Sequence, residues 1–289
     1  MTPPEQASSP FFTANERADA GAVVGGRSFL LRTMPIIGAL TVIAALNGQT
    51  TISVMDHRPL AGGLDILEKL VGSAINYEDV PYQNPADLED VSTPEQKAAN
   101  PGYQLLVPRK GQITAAVYAS SGPLTNANSL LSSYRQNSMP GDFVIEQANA
   151  MTYVIASKVQ TQSSAMTTVR SPMKALITVP NGTRSVAETI MAILDSIYTA
   201  TNTRITLGAV AFFPTETVSF GAAGIPARDA VAQVLAAATK TPASYRLLYD
   251  PATGYMLNLH SVLAPQSQVG ASPQPPQNPS GVPGLNKNH

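Results

Sequence analysis

The chain has 289 residues, of which 44% are hydrophobic and only 13% are charged, and its formal net charge is -1. This composition supplies a packed core but no basic field, which argues against a nucleic acid partner. The chain contains no cysteine, which excludes disulfides, thiolate catalysis and thiolate metal sites.

The first 48 residues divide into two segments. Residues 1–26 are polar and rich in small side chains, which predicts a disordered leader. Residues 27–48 carry Arg27 and Arg32 in front of the apolar run MPIIGALTVIAAL, a pattern that is typical of a secretory signal peptide. If this segment is not cleaved, the alternative is a membrane anchor. Both interpretations predict an exported protein.

From residue 51 onward the sequence alternates between strand and helix patterns. Leucines recur at three- and four-residue spacing between Pro59 and Gly72, which predicts a helix after a strand at 51–54. The acidic segment 78–104 is rich in proline and asparagine, and it predicts a long loop that is either functional or poorly ordered. The other elements predicted in this half are strands at 74–77, 103–107 and 113–118, a helix at 123–134, and a hairpin of 143–145 with 153–155.

The second half repeats this order after a polar segment, 161–174, that is predicted to be a linker. Ser185 and Glu188 have the spacing of a helix capping box. The elements predicted in this half are strands at 175–179, 203–207 and 218–220, helices at 185–199 and 226–238, and a hairpin of 245–248 with 256–259.

Two copies of one element order predict an α+β fold with two tandem small domains, at 51–156 and 175–262. In each domain the order is strand, helix, strand, then strand, helix and hairpin. The remaining residues, 264–289, are dominated by proline, glutamine, serine and asparagine, and they predict a disordered tail.

The second copy resembles a known family. The stretches ITVPNGTRSVAETIMAILDSIYTATNTRITLG, VSFGAAGIPARDAVAQVLAAATKTPASYRLLYD and GYMLNLH are similar to the secretin and TonB short N-terminal domain, and RPLAGGLDILEKLVGSAINYE is similar to its first helix and strand. The resemblance implies compact domains with two helices packed between small sheets. It also implies a bacterial protein of the periplasm or of the secretion machinery that acts by protein contact and carries no catalytic residues.

Few residues are candidates for chemistry. The acidic loop offers oxygen ligands for calcium, but no spacing in it matches an EF-hand, and solvated acids are the favoured interpretation. Its acids are Glu78, Asp79, Asp87, Glu89 and Asp90. The histidines His57, His260 and His289 are far apart, and only His57, between Asp56 and Arg58, suggests an acid-base pair. We therefore predict no catalytic, cofactor-binding or metal-binding residue.

Five tyrosines fall at or beside predicted strand ends: Tyr77, Tyr82, Tyr245, Tyr249 and Tyr255. Their rings either mediate contacts with a partner or pack across strands, and packing is favoured. We expect a non-enzymatic exported adaptor whose short edge strands bind envelope proteins or a second copy of the chain. The alternative is an exported protein that binds calcium or carbohydrate, or that is hydrolytic, through the acidic loop.

Overall fold

The computed structural model describes residues 39–44, 48–209 and 216–263. The predicted leader and the predicted proline-rich tail lie outside these residues. Within them the fold is α+β, as the sequence predicts.

Among its described residues, the first half contains eight strands and three α-helices. Their bounds are β1 Ala39–Ala44, β2 Gln49–Asp56, α1 Pro59–Val71, β3 Ile75–Glu78, β4 Leu88–Asp90, α2 Pro94–Ala99, β5 Leu106–Pro108, β6 Gly111–Tyr118, α3 Pro123–Gln136, β7 Asp142–Ala148 and β8 Met151–Gln160. The second half contains β9 Met166–Thr168, β10 Leu176–Ser185, α4 Val186–Thr201, β11 Ile205–Leu207, β12 Thr217–Pro226, α5 Ala227–Ala238, β13 Ala243–Asp250 and β14 Gly254–Ser261.

The two halves have the same topology. Strands β2 and β6 pair antiparallel, as do β10 and β12. Strand β3 runs parallel to β8, as β11 does to β14. The hairpins β7–β8 and β13–β14 complete the two copies. The seven-element order predicted for each half is therefore confirmed.

One sheet runs through both halves. Its strand order is β11-β14-β13-β3-β8-β7, and β9 adds to β8. The parallel pairing of β13 with β3 joins the second half to the first, and the described residues belong to one compact unit. The two predicted domains are therefore connected by a continuous sheet.

Each half buries two helices, α1 with α3 in the first and α4 with α5 in the second, between this sheet and a smaller one. Helix α1 accepts Pro59 at its first position and ends at Gly72, whose left-handed backbone suits a residue without a side chain. Gly63 in the middle of α1 allows close packing, because a Cβ there would lie 3.0 Å from Cδ1 of Ile113 on β6. The apolar faces of α1 and α3 thus form one core, and those of α4 and α5 form a second.

Three segments differ from the simplest expectation. The acidic loop is structured, since it contains a 3-10 turn at Pro85–Asp87, the pair β4–β5, and helix α2 with a capping box at Thr93. The predicted linker contributes β9 and buries Met173 in the second core. Ala39–Ala44, inside the predicted signal peptide or anchor, pairs antiparallel with β2. Among the described residues, no helix has the length and apolar character needed to cross a membrane.

The capping box at the start of α4 gives a test of local structure. Ser185 Oγ accepts the N–H of Glu188, and the Glu188 carboxylate accepts the N–H of Ser185, as the sequence predicts. We expect Ser185→Ala to lower the free energy of unfolding by about 1 kcal/mol in urea titrations. The substitution leaves the backbone N–H of Glu188, in the first turn of the helix, without its acceptor. Ser185→Thr keeps the hydroxyl and serves as the control. An unchanged midpoint in Ser185→Ala would contradict this role.

Candidate interaction site

The junction between the halves is the contact of β13 with β3 and α1. The strands pair over only two positions, Arg246 opposite Tyr77 and Leu247 opposite Glu78. One more backbone bond follows, from the N–H of Asp79 to the carbonyl of Leu247 at 2.8 Å. Because this ladder is short, the side chains around it provide most of the specific contacts.

Arg246 is the centre of the first group of side chains. Its guanidinium donates to Asp65 Oδ1 at 2.7 and 2.9 Å, to Glu68 Oε2 at 2.8 Å and to the carbonyl of Ile75 at 2.5 Å. Burial alone would raise the pKa of Glu68, but Arg246 and His260 together hold it below its ordinary value. Glu68 is therefore a buried carboxylate that stays charged because of a residue from the other half.

Ser244, His260 and Glu68 have the composition of a hydrolytic triad but not its geometry. Nε2 of His260 lies 2.8 Å from Ser244 Oγ and 2.9 Å from Glu68 Oε2. A triad needs the serine and the acid on different ring nitrogens, so that the acid orients the base. Ser244 is also fully buried, so a substrate cannot reach its hydroxyl. The arrangement is structural.

Glu78 forms the second group, on the other face of the sheet. The Tyr245 hydroxyl donates to Glu78 at 2.7 Å, and Arg228 of α5 donates at 2.9 Å. Burial raises the pKa of Glu78, and Arg228 opposes that rise without cancelling it. Arg228 also reaches Glu146 on β7 at 3.0 Å, so α5 is tied to strands of the first half.

Asp79 is the acceptor for the third group. It accepts from Arg58 Nε and the Tyr77 hydroxyl at 2.8 Å, and from the Tyr82 hydroxyl at 3.0 Å. Its second oxygen also accepts the N–H of Tyr249 from β13 at 3.2 Å. Burial raises the pKa of Tyr77 and Tyr82 well above the ordinary range, and the charge of Asp79 adds to the effect.

The predicted candidates are thus separated by the fold. Glu78 and Asp79 belong to the junction. Glu89 contacts His57 at 3.0 Å, and Asp90 pairs with Lys97 at 2.8 Å. Burial raises the pKa of Asp87, whose Oδ2 has no hydrogen-bond partner in the described structure. His289 lies outside the described residues. Calcium binding by the loop stays a prediction.

The fold brings potential metal ligands together at a different place, beside Arg246. Among the described residues, one group of three side chains has its potential ligand atoms within 4.8 Å of one another, and its members are Asp65, Glu68 and His260. The guanidinium of Arg246 already contacts both carboxylates, so a cation there would have to displace it. The cluster is better explained as the partner set of that arginine.

The tyrosines pack within and across the strands. Tyr249 and Tyr255 lie opposite each other in the β13–β14 hairpin, with ring centroids 5.0 Å apart. Tyr77 stacks on Phe143 at 5.4 Å, and Tyr245 is fully buried. These geometries agree with the packing interpretation.

Sequence reasoning missed Arg246, Arg228, Asp65 and Glu68. Glu68 left one usable signal, because it adjoins Leu67 and follows Leu64 by four residues on the apolar face of a helix. A charge at such a position requires a buried partner. The identity of that partner, 178 residues away, leaves no mark in local spacing.

A groove lies between α4 and β11, the strand at one end of the long sheet. It has a volume of about 620 Å³, and its lining includes Met191, Asp195 and Tyr198 from the helix and Arg204 and Thr206 from the strand region. The Met191 and Tyr198 side chains are 47% and 51% exposed. Strand β11 pairs only with β14 within the described structure, so its outer edge borders this groove.

Comparisons with known proteins found no match for this chain among family models, curated proteins or solved structures. The resemblance to the secretin and TonB short N-terminal domain therefore stays a prediction that rests on the quoted residues.

Proposed function

We propose that the protein is a non-enzymatic, exported adaptor of the bacterial cell envelope that binds protein partners by strand addition at β11. The observation that carries the proposal is the outer edge of β11, which pairs with no strand among the described residues and lies beside the α4 groove. An edge strand offers backbone donors and acceptors, and a neighbouring groove supplies specificity for alternate side chains.

The exposed apolar side chains of α4 support this reading. Met191 and Tyr198 lie on the groove side of the helix, and methionine and tyrosine are common where a partner packs. The junction provides a precedent within the molecule, since there a strand edge carrying Arg246 already packs beside α1. The same fold thus binds a strand edge at one copy of this surface, and no described residue adds a strand at the other copy.

Export is the second component of the proposal, and it depends on residues 27–48. Cleavage after Ala45 would remove β1 from the mature protein, whereas an uncleaved anchor would retain it. Sequencing the amino terminus of protein isolated from cell fractions separates these cases. A cytoplasmic protein that begins at Met1 would contradict export.

A photo-crosslinking amino acid at Met191 tests the contact in the producing cell. We expect ultraviolet light to give adducts with envelope proteins or with a second copy of the chain. The matched control places the same group at Met166, which is 50% exposed on β9 and outside the groove. Position 191 giving no more adducts than position 166 would contradict the adaptor proposal.

A further inference from the structure

The groove between α4 and β11 is the counterpart, in the second half, of the space beside α1 and β3 in the first half. In the first half that space is filled by Arg246 of β13. Helices α1 and α4 both end at a left-handed residue, Gly72 and Asn202. In each case the N–H of that residue donates to the carbonyl four positions earlier, on Glu68 and on Tyr198. Tyr198 is therefore the counterpart of Glu68.

The strand registers identify the counterpart of Arg246. Equivalent residues lie side by side across three strands in each half: Ile145, Val154 and Tyr77 in the first, and Leu247, Leu257 and Leu207 in the second. Val144 precedes Ile145 as Arg246 precedes Leu247. Val144 on β7 is therefore the counterpart of Arg246 on β13.

The residues at the two equivalent contacts differ in charge: both members are charged at the junction, and neither is charged at the ends of the sheet. At the junction the contact is an ion pair, Arg246 with Glu68. At the two ends of the sheet the equivalent residues are apolar, Val144 and Tyr198, and they are 37% and 51% exposed. A mixed contact would bury Arg246 or Glu68 without its partner, which is costly. Strand β7 thus matches the β11 groove and does not match α1.

The outer edge of β7 also presents backbone hydrogen-bonding groups to which a further strand could pair. It is the last strand of the sheet, and the described residues place no strand on its outer side. Asn149 and Ala150 both have positive φ, which makes a two-residue turn, so Ile145 and Gln147 direct their N–H and C=O groups outward. Among the described residues, side chains satisfy the backbone groups of the first outward position alone: the N–H of Phe143 donates to Asp142, and its carbonyl accepts from Arg135.

We propose that a second copy of this chain occupies the groove, with its β7 added parallel to β11 and its Val144 against Tyr198. This inference rests on the proposed function, because it names the partner of the same groove. The register of the junction places Val144 opposite Leu207 and Ile145 opposite Gly208. Donor and acceptor surfaces differ, so every added copy leaves one of each free and assembly proceeds head to tail.

Sedimentation velocity of the full-length protein over a concentration series tests this assembly. We expect the wild type to form a ladder of oligomers. Val144→Lys removes the donor surface and Tyr198→Lys removes the acceptor surface, so each variant alone should associate about thirtyfold more weakly, as for loss of a binding hot spot. The control Met166→Lys should assemble like the wild type.

Mixing the two variants gives the sharpest result. Val144→Lys keeps a working groove and Tyr198→Lys keeps a working β7, so an equimolar mixture should form one-to-one dimers and stop there. The dimer also reports that both variants are folded. The milder pair Val144→Ser and Tyr198→Ser serves if lysine disturbs the fold.

Three outcomes would overturn self-assembly through these edges: a wild type that stays monomeric at every concentration, single variants that still form the ladder, or a mixture that gives no dimer. In that event, adducts from position 191 to a different envelope protein would leave the adaptor proposal standing. Assembly in solution without any adduct at position 191 in cells would contradict the adaptor alone.

Discussion

Replacing Arg246 with methionine lowers the free energy of unfolding by about 3–5 kcal/mol, because removing one member of a buried ion pair leaves the other uncompensated. The stranded group is Glu68, whose side chain is 2% exposed. Asp65 and the carbonyl of Ile75 lose a donor as well. Urea titration monitored by circular dichroism measures the change. Arg135→Met is the matched control, since the pair of Arg135 with Asp142 lies at the surface and should contribute less than about 1 kcal/mol.

The acid dependence of stability should also reverse. In the wild type the pKa of Glu68 is below its ordinary value of 4.5, so its contribution is present above pH 4.5 and is lost as the pH falls through the folded-state pKa. Without Arg246 burial dominates, the pKa rises, and acid relieves the cost of burying the charge. The double variant Arg246→Met, Glu68→Leu should recover part of the stability. An Arg246→Met protein as stable as the control would contradict this role.

The elements of the fold could be predicted because their signals are local. Pro59 and Gly72 mark the ends of α1, and the Ser185 capping box marks the start of α4. Alternation and helical periodicity then locate strands and helices between such marks. The acidic loop was harder, because its β4, β5 and α2 are three to six residues long and bury little apolar surface.

The candidate site could not be predicted in the same way. In the sequence, Glu78 and Asp79 follow the strand predicted at 74–77 and begin a proline-rich segment, where acids are commonly solvated, and only the tertiary fold buries them. Arg228, the partner of Glu78, and Tyr249, whose N–H donates to Asp79, come from the other half of the chain. The pairing of β13 with β3 is also hidden, because the apolar and polar residues of these two strands alternate as they do in the other strands. Pairing of halves is thus a property of matched side chains far apart in sequence, which a single sequence does not reveal.

Asp79→Asn should destabilise the protein by about 3 kcal/mol or more, because a buried acceptor of several hydrogen bonds loses its charge and half of its acceptor capacity. The amide NH2 would face either the donors of Arg58 and Tyr249 or the donating hydroxyls of Tyr77 and Tyr82. Urea titration reports the loss. The same substitution at Asp90, an exposed acid in the acidic loop, gives the matched control, and we expect a clearly smaller change there.

The location of the damage distinguishes this explanation from a general loss of stability. Asp79 accepts hydrogen bonds from Tyr77 of β3 and from Tyr249 of β13. Amide hydrogen exchange in Asp79→Asn should therefore increase first where β13 pairs with β3. The β2–β6 and β10–β12 pairs should keep their protection longer, because they do not contact Asp79. Equal increases throughout the sheet, or a fall in stability no greater than that of Asp90→Asn, would show that Asp79 does not hold the halves together.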